Sequence, residues 1–129
     1  MIEYASRYDR YTIQNNPNKI FVFGDNMERR GLGGQAREAR GERNTVGIPT
    51  KWKPDSTQDA YFRDSDFGFV RPVIAGEFRK LYWYRREGYT IVWPTNGIGT
   101  GRARLREFAP RIAGYIDEVW GLIQKGLDG

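Results

Sequence analysis

Two stretches of this chain follow one plan, and that repetition limits what the chain can fold into. In residues 20–36 (IFVFGDNMERRGLGGQA) four apolar residues, 20–23, make a run short and β-rich enough for a buried strand. Gly24, Asp25 and Asn26 carry turn chemistry and are expected to end it. Arg29 and Arg30 then precede Gly31, Gly33 and Gly34, and residues 35–40 read as a helix. In residues 91–101 (IVWPTNGIGTG) a short strand meets Pro94 and then Gly97, Gly99 and Gly101. Strand, glycine-rich turn and helix N-terminus together form an anion cradle. Backbone N–H groups point outward, the helix dipole adds partial positive charge, and glycine lets the main chain approach a phosphate. Two such loops in a chain of 129 residues favour one shared ligand cleft. In open α/β sheets such a cleft lies beyond the carboxyl ends of the strands.

The remaining chain alternates strands with amphipathic helices. Residues 1–17 are polar and rich in tyrosine (Tyr4, Tyr8, Tyr11), with room for a short strand or edge segment before Asn15-Asn16-Pro17. Residues 45–48 read as a second strand stopped by Pro49, which would leave Lys51 on a loop at its exit. A polar connector, residues 55–64, is expected to be pinned by Tyr61 and Phe62. Ser65 or Asp66 would cap a helix in which Val70, Ile74, Phe78, Leu81 and Tyr82 recur at helical spacing, with Gly88 as its end. Residues 90–93 supply a third strand. The last helix starts near Pro110 and buries Ile112, Ile116, Val119, Trp120 and Ile123 before Gly126. This β-α-β-α-β-α order predicts a single domain over residues 1–129, a three-layer α/β/α sandwich.

Composition removes whole classes of chemistry. The chain has no cysteine and no histidine, which excludes disulfides, thiolate zinc sites and any Ser-His-Asp or Cys-His machinery. A transition-metal site would need oxygen ligands alone, and no metal or cofactor is expected. With no apolar run near 18 residues and no signal peptide, the expectation is a soluble, cytoplasmic chain with no membrane partner. The net charge of +5 comes mostly from arginine, whose planar fork suits phosphate. A phosphorylated ligand, a nucleic acid and ordinary solubilising charge all fit it.

The motifs FGDN at 23–26, GLGGQA at 31–36 and WPTNGIGTG at 93–101 resemble those of macrodomains, over residues 20–119. They resemble in particular the branch of the terminal ADP-ribose protein glycohydrolase. There a strand-end lysine stands as Lys51 does in GIPTK at 47–51, and the later loop reads Pro-x-x-Gly-x-Gly. The chain is also similar to uncharacterised phage and bacterial proteins that share FVFGDN, GGQA, GIPTK and GIGTG.

The resemblance implies a macrodomain-like mixed sheet and a ligand such as ADP-ribose or a related nucleotide-diphosphate sugar. It implies that Asn26 bonds the distal ribose, while Gly31, Gly33 and Gly34 wrap that ribose and one phosphate. Gly24, Gln35 and Thr50 would line the same site. Gly97, Ile98, Gly99, Thr100 and Gly101 would donate backbone N–H groups to the diphosphate, beside Pro94, Thr95 and Arg102. Lys51 would stand near the anomeric carbon, where that branch uses its lysine as a nucleophile towards C1″. The carboxylate that follows the second loop in that branch is absent, since Gly101 and Arg102 occupy its place. The aspartate that many macrodomains turn to the adenine is not identifiable either. Asp25 is the candidate to replace the acid as a base, or else an Asx-turn residue. A reactive Lys51 needs a lowered pKa, through desolvation or a cationic neighbour, and Trp52 and Lys53 are the candidates to supply these.

The leading expectation is a binder of free ADP-ribose-like nucleotide or of an ADP-ribosylated macromolecule. It would sense, sequester or remove such groups, in phage or bacterial defence, with binding favoured over efficient turnover. The alternative is a basic nucleic-acid-binding module. Arg102, Arg104, Arg106 and Arg111 cluster in sequence, and Tyr82, Trp83 and Tyr84 sit beside Arg85 and Arg86. In a third reading the loops are plain turns in a structural or partner-binding protein. The oligomeric state is not set by the sequence.

Overall fold

A computed structural model of the chain describes residues 1–128. Four strands, β1 (Ile2–Ala5), β2 (Lys19–Asn26), β3 (Thr45–Lys51) and β4 (Thr90–Pro94), form one sheet in the order β1-β4-β2-β3. Every pairing is parallel, which corrects the expected mixed sheet. Parallel neighbours need crossovers rather than hairpins, and helical or irregular segments follow each strand here. The one antiparallel pairing among the described residues is an isolated bridge between Lys51 and Tyr61.

Side chains of β2 alternate between two apolar clusters. Ile20 and Val22 join Ile91 and Trp93 of β4 in the larger cluster, against α3 (Phe67–Arg86) and α5 (Pro110–Gln124). Phe21, Phe23 and Val92 join Tyr8 and Ile13 in the smaller one, with Ala36 and Ala39 of α2 (Ala36–Ala39). A strand of period two that is buried on both sides reads as a continuous apolar run, as residues 20–23 do. Each large side chain so buried contributes roughly 1.5–3 kcal/mol.

The helical stripes fall where spacing puts them. Val70, Ile74, Phe78 and Leu81 of α3 are buried, and so are Ile112, Ile116, Val119, Trp120 and Ile123 of α5. Tyr82 is only half-buried. Asp66 stands at the N-cap of α3, after a 3-10 turn at Asp64–Asp66, and Gly88 follows the helix end with φ of 97°. Pro110 opens α5, and the Asp64 carboxylate accepts a hydrogen bond from the Arg111 N–H at 2.9 Å. Trp93 and Trp120 stack at 3.9 Å between ring centroids. The N-terminal segment resolves into edge strand β1 and a short helix, α1 (Arg10–Gln14), capped by the Asp9 carboxylate on the Thr12 N–H at 2.7 Å.

Two strands run further than their sequences suggest. β2 continues through Gly24, Asp25 and Asn26, and β3 passes Pro49 to reach Lys51. Proline is tolerated in β3 because that strand lies at the sheet edge. Asp25 pairs with Pro49 and Asn26 with Lys51, so Thr50 is the extra residue of a bulge.

β2 and β4 are the central neighbours, and their chains leave in different directions. From β2 the chain passes to α2 beside the smaller cluster; from β4 it passes through α4 (Leu105–Phe108) to α5 beside the larger one. That divergence opens a crevice between the two carboxyl ends. Among the described residues, no helix is long and apolar enough to cross a membrane.

Removing the Trp120 ring should cost about 3–5 kcal/mol, the usual range for a large core aromatic replaced by alanine. Urea unfolding of Trp120→Ala would read this as a lowered midpoint with little change in slope. A shift of a few tenths of a kcal/mol would place Trp120 outside the core.

Candidate functional site

Both glycine loops line one cleft of about 380 Å³, together with the ends of β2 and β3. Of the residues singled out from sequence, Gly24, Asp25, Asn26, Gly31, Gly33, Gly34 and Gln35 line it from the first loop and its strand. Thr50 and Lys51 line it from β3; Pro94, Gly97, Ile98, Gly99, Thr100, Gly101 and Arg102 do so from the second loop. Thr95 does not. Its N–H bonds the Ala5 carbonyl at 3.0 Å, and Asn96 reaches the cleft instead. Arg40, Pro54 and Ser6 also line the cleft. Nothing in their local sequence marks them: Ser6 follows edge strand β1, Arg40 follows α2 and Pro54 follows β3.

The loops present backbone donors. Among the described residues, the N–H groups of Gly33, Gly34, Ile98 and Thr100 meet no acceptor within the chain. Free main-chain donors in a concave site suit an anion. Gly99 has a structural task as well. Its φ is 73°, and a Cβ there would lie 3.0 Å from Leu105 Cβ and 3.2 Å from Thr50 Cγ2, so a side chain would strike the protein rather than block a ligand. Gln35 is committed too: its amide donates to the Tyr8 carbonyl at 2.6 Å and accepts from the Tyr8 N–H at 3.2 Å.

Asn26 has the most telling surroundings. It is 6% exposed, and its Nδ2 donates to the Arg30 carbonyl at 2.7 Å. Its Oδ1 is buried with no donor in reach. A buried acceptor left without a donor costs about 1–3 kcal/mol, so this one, on a cleft-lining residue, is a candidate contact for a ligand donor.

Asp25 is placed otherwise than a free base would be. Its carboxylate accepts from Arg40 Nη2 at 2.5 Å and from Arg29 Nη1 at 3.2 Å, and it caps the Asn26 N–H at 2.8 Å. Arg29 also donates to the Gly47 carbonyl at 2.6 Å and to Glu77 of α3 at 2.9 Å. Its backbone is left-handed, with φ of 56°, and these bonds hold it there. Gly47 on β3 leaves room for the cluster: a Cβ would sit 2.8 Å from both Asp25 Oδ2 and Phe23 Cζ.

Lys51 is a buried strand residue, 8% exposed, rather than a loop lysine. Its ammonium donates to the Asp55 carbonyl at 2.5 Å and lies 4.9 Å from the centre of the Tyr61 ring. Burial draws its pKa below the ordinary 10.5; the Asp55 carboxylate opposes that shift and the Arg102 guanidinium adds to it. The cationic neighbour is therefore Arg102, not Lys53, which pairs with Asp59 at 3.1 Å. Trp52 turns its indole N–H to Asp66 at 3.0 Å.

The three arginines flanking the loops have different fates. Arg29 points back into the protein, and Arg30 pairs with Glu28 at 2.7 Å. Arg102 lies across the first loop, where a Cβ on Gly33 would come within 2.7 Å of its Nη1, and it makes no ion pair among the described residues. The arginines considered for nucleic acid are mostly occupied. Arg104 pairs with Glu107 and Arg106 with Asp117, Arg111 covers the Phe67 ring, and Arg85 donates to the Ile123 carbonyl.

A family model, described as a family of unknown function (DUF7831), matches residues 3–119. No curated protein and no solved structure matches the chain.

Two outcomes follow from this geometry. Gly47→Ala should lower stability by about 1–3 kcal/mol in chemical denaturation, since the added methyl overpacks a pinned carboxylate. A neutral effect would mean the Asp25 cluster yields freely. In an NMR titration of lysine Cε signals, Lys51 should lose its proton below the ordinary 10.5, because its ammonium is desolvated. Between its lowered folded value and 10.5 the unfolded chain binds more protons at this site, so the contribution of Lys51 to stability rises with pH across that window. Titration of Lys51 at or above 10.5 would contradict the burial of the ammonium.

Proposed function

We propose that this chain, which belongs to the family of unknown function DUF7831, binds ADP-ribose or a related nucleotide-diphosphate sugar in the cleft between its glycine loops. The observation that carries the reading is the buried, unpartnered Oδ1 of Asn26, a residue that lines the cleft, as an acceptor suited to a ribose hydroxyl. The free N–H groups of the second loop and the unpaired Arg102 suit a diphosphate on the same ligand. Helices beside both apolar clusters support the three-layer, macrodomain-like form of the fold.

The cleft favours binding over efficient turnover. Breaking a glycosidic bond at C1″ needs a nucleophile or a base that activates water. Lys51 supplies a buried amine with a lowered pKa. Asp25 is engaged by two guanidinium groups, and Gly101 and Arg102 bring no carboxylate. In this reading Lys51 faces the anomeric end of the ligand without a partner acid. The pairing of Arg104 and Arg106 weighs against the nucleic-acid alternative.

Calorimetric titration with ADP-ribose, run beside AMP and a short single-stranded oligonucleotide, tests the proposal. ADP-ribose should bind more tightly than AMP, and Asn26→Ala should weaken it at least tenfold, or about 1.4 kcal/mol. Lys51→Ala should leave binding within about tenfold. Oligonucleotide binding that survives moderate salt, with no response to ADP-ribose, would replace this reading with the nucleic-acid one.

A further inference from the structure

We propose that Asp25 is a positioning residue: through Arg40 it holds loop 29–34 in its ligand-ready shape and so aims Asn26 into the cleft. The inference rests on the nucleotide-sugar reading for its ligand, and on the following geometry for its mechanism. Arg40 stands just past α2, and its planar fork serves three partners at once. Nη2 and Nη1 meet the two Asp25 oxygens at 2.5 and 3.4 Å, Nε donates to the Gly31 carbonyl at 2.8 Å, and Nη2 reaches the Arg30 carbonyl at 3.2 Å. That same Arg30 carbonyl accepts the Asn26 Nδ2 at 2.7 Å. The chain of contacts thus runs from Asp25 to Arg40, to the loop carbonyl, to the Asn26 amide. Because Nδ2 is committed there, Oδ1 is the buried atom left without a partner on this cleft-lining residue.

The loop cannot hold this shape by itself. It has left-handed residues at Arg29, Gly31 and Gly34 and no helix or strand of its own. Arg40 takes up the carbonyls of Arg30 and Gly31, while the N–H groups of Gly33 and Gly34 stay free. A cation bound to the loop's acceptors leaves its donors to an anionic ligand. Arg40 is itself fixed from one side by the buried Asp25 carboxylate. Arg29 completes the neutralisation and ties the cluster to Glu77 on α3. With both oxygens accepting hydrogen bonds from arginines, Asp25 acts by placement and takes no proton from a ligand.

Arg40→Lys separates charge from geometry. It keeps a cation beside Asp25 but lacks the fork needed to hold two carbonyls and a carboxylate together. Asp25→Asn is the companion variant, which keeps the shape and removes the charge. In the full chain, backbone amide NMR order parameters at residues 31–34 should fall in either variant, from the rigid range of about 0.85 to below about 0.6, while core amides in β2 of the same sample keep theirs. ADP-ribose affinity of the folded protein should fall at least tenfold by calorimetry. Loop order parameters unchanged from wild type, with affinity within twofold, would overturn the proposal and leave Asp25 a purely structural ion pair. If the wild-type protein binds no ADP-ribose, the nucleotide reading fails, while the order-parameter comparison still decides whether Asp25 and Arg40 shape the loop. Should one variant not fold, the other carries both measurements.

Discussion

A carboxylate at the end of a central strand has to be compensated, and Asp25 shapes much of its surroundings through that need. Its side chain is 3% exposed, and breaking a buried charge pair by removing one partner typically costs about 3–5 kcal/mol. Two arginines further along the chain meet the demand. Arg29 must turn back on itself with a left-handed backbone, and Arg40 must arrive just after α2. Gly47 has to lack a side chain for the cluster to fit against β3. Loop conformation, helix placement and the composition of a neighbouring strand therefore answer to one buried charge.

The apolar framework was legible in the sequence because periodicity encodes it locally. Residues 20–23 and 90–93 announce strands, and the helical stripes from Val70 to Leu81 and from Ile112 to Ile123 are buried as their spacing implies. The cleft was legible for a similar reason: each loop carries its own glycine pattern, and both stand at strand ends. The ends of β2 and β3 were not. Gly-Asp-Asn and Pro-Thr-Lys have turn composition, yet pairing with a neighbouring strand overrides that preference, and only the partner strand supplies the information. Arg40 escaped notice because its role depends on a carboxylate fifteen residues away in sequence and on carbonyls that no residue type reveals. The exchange of Thr95 for Asn96 at the cleft is a one-residue matter of where the chain leaves β4, set by the Thr95 bond to β1.

The distribution of charge separates what holds the fold from what lines the cleft. A net charge of +5 could suggest a broad basic surface. Instead, arginines of the C-terminal third bind nearby carboxylates or cover aromatic rings, where exposed pairs contribute little energy but occupy the side chains. Lys51 and Arg102 differ from them. Both line the cleft, neither has a carboxylate partner among the described residues, and each feels the other's charge. Of the four cationic side chains that line the cleft, Arg30 and Arg40 are paired with carboxylates, which leaves Lys51 and Arg102.

The place of β1 in the sheet has a consequence for how the chain reaches this structure. β1 pairs only with β4, with Ile2 opposite Ile91, and β4 also separates it from β2. During synthesis β1 is made long before β4 and has no partner until β4 has followed it. The sheet closes only when β4 slots between β1 and β2, a step that pays its loop-closure entropy before any reward. Such non-local pairing slows folding. The second glycine loop leaves β4 directly, so the cleft between the loops is completed in the same late event.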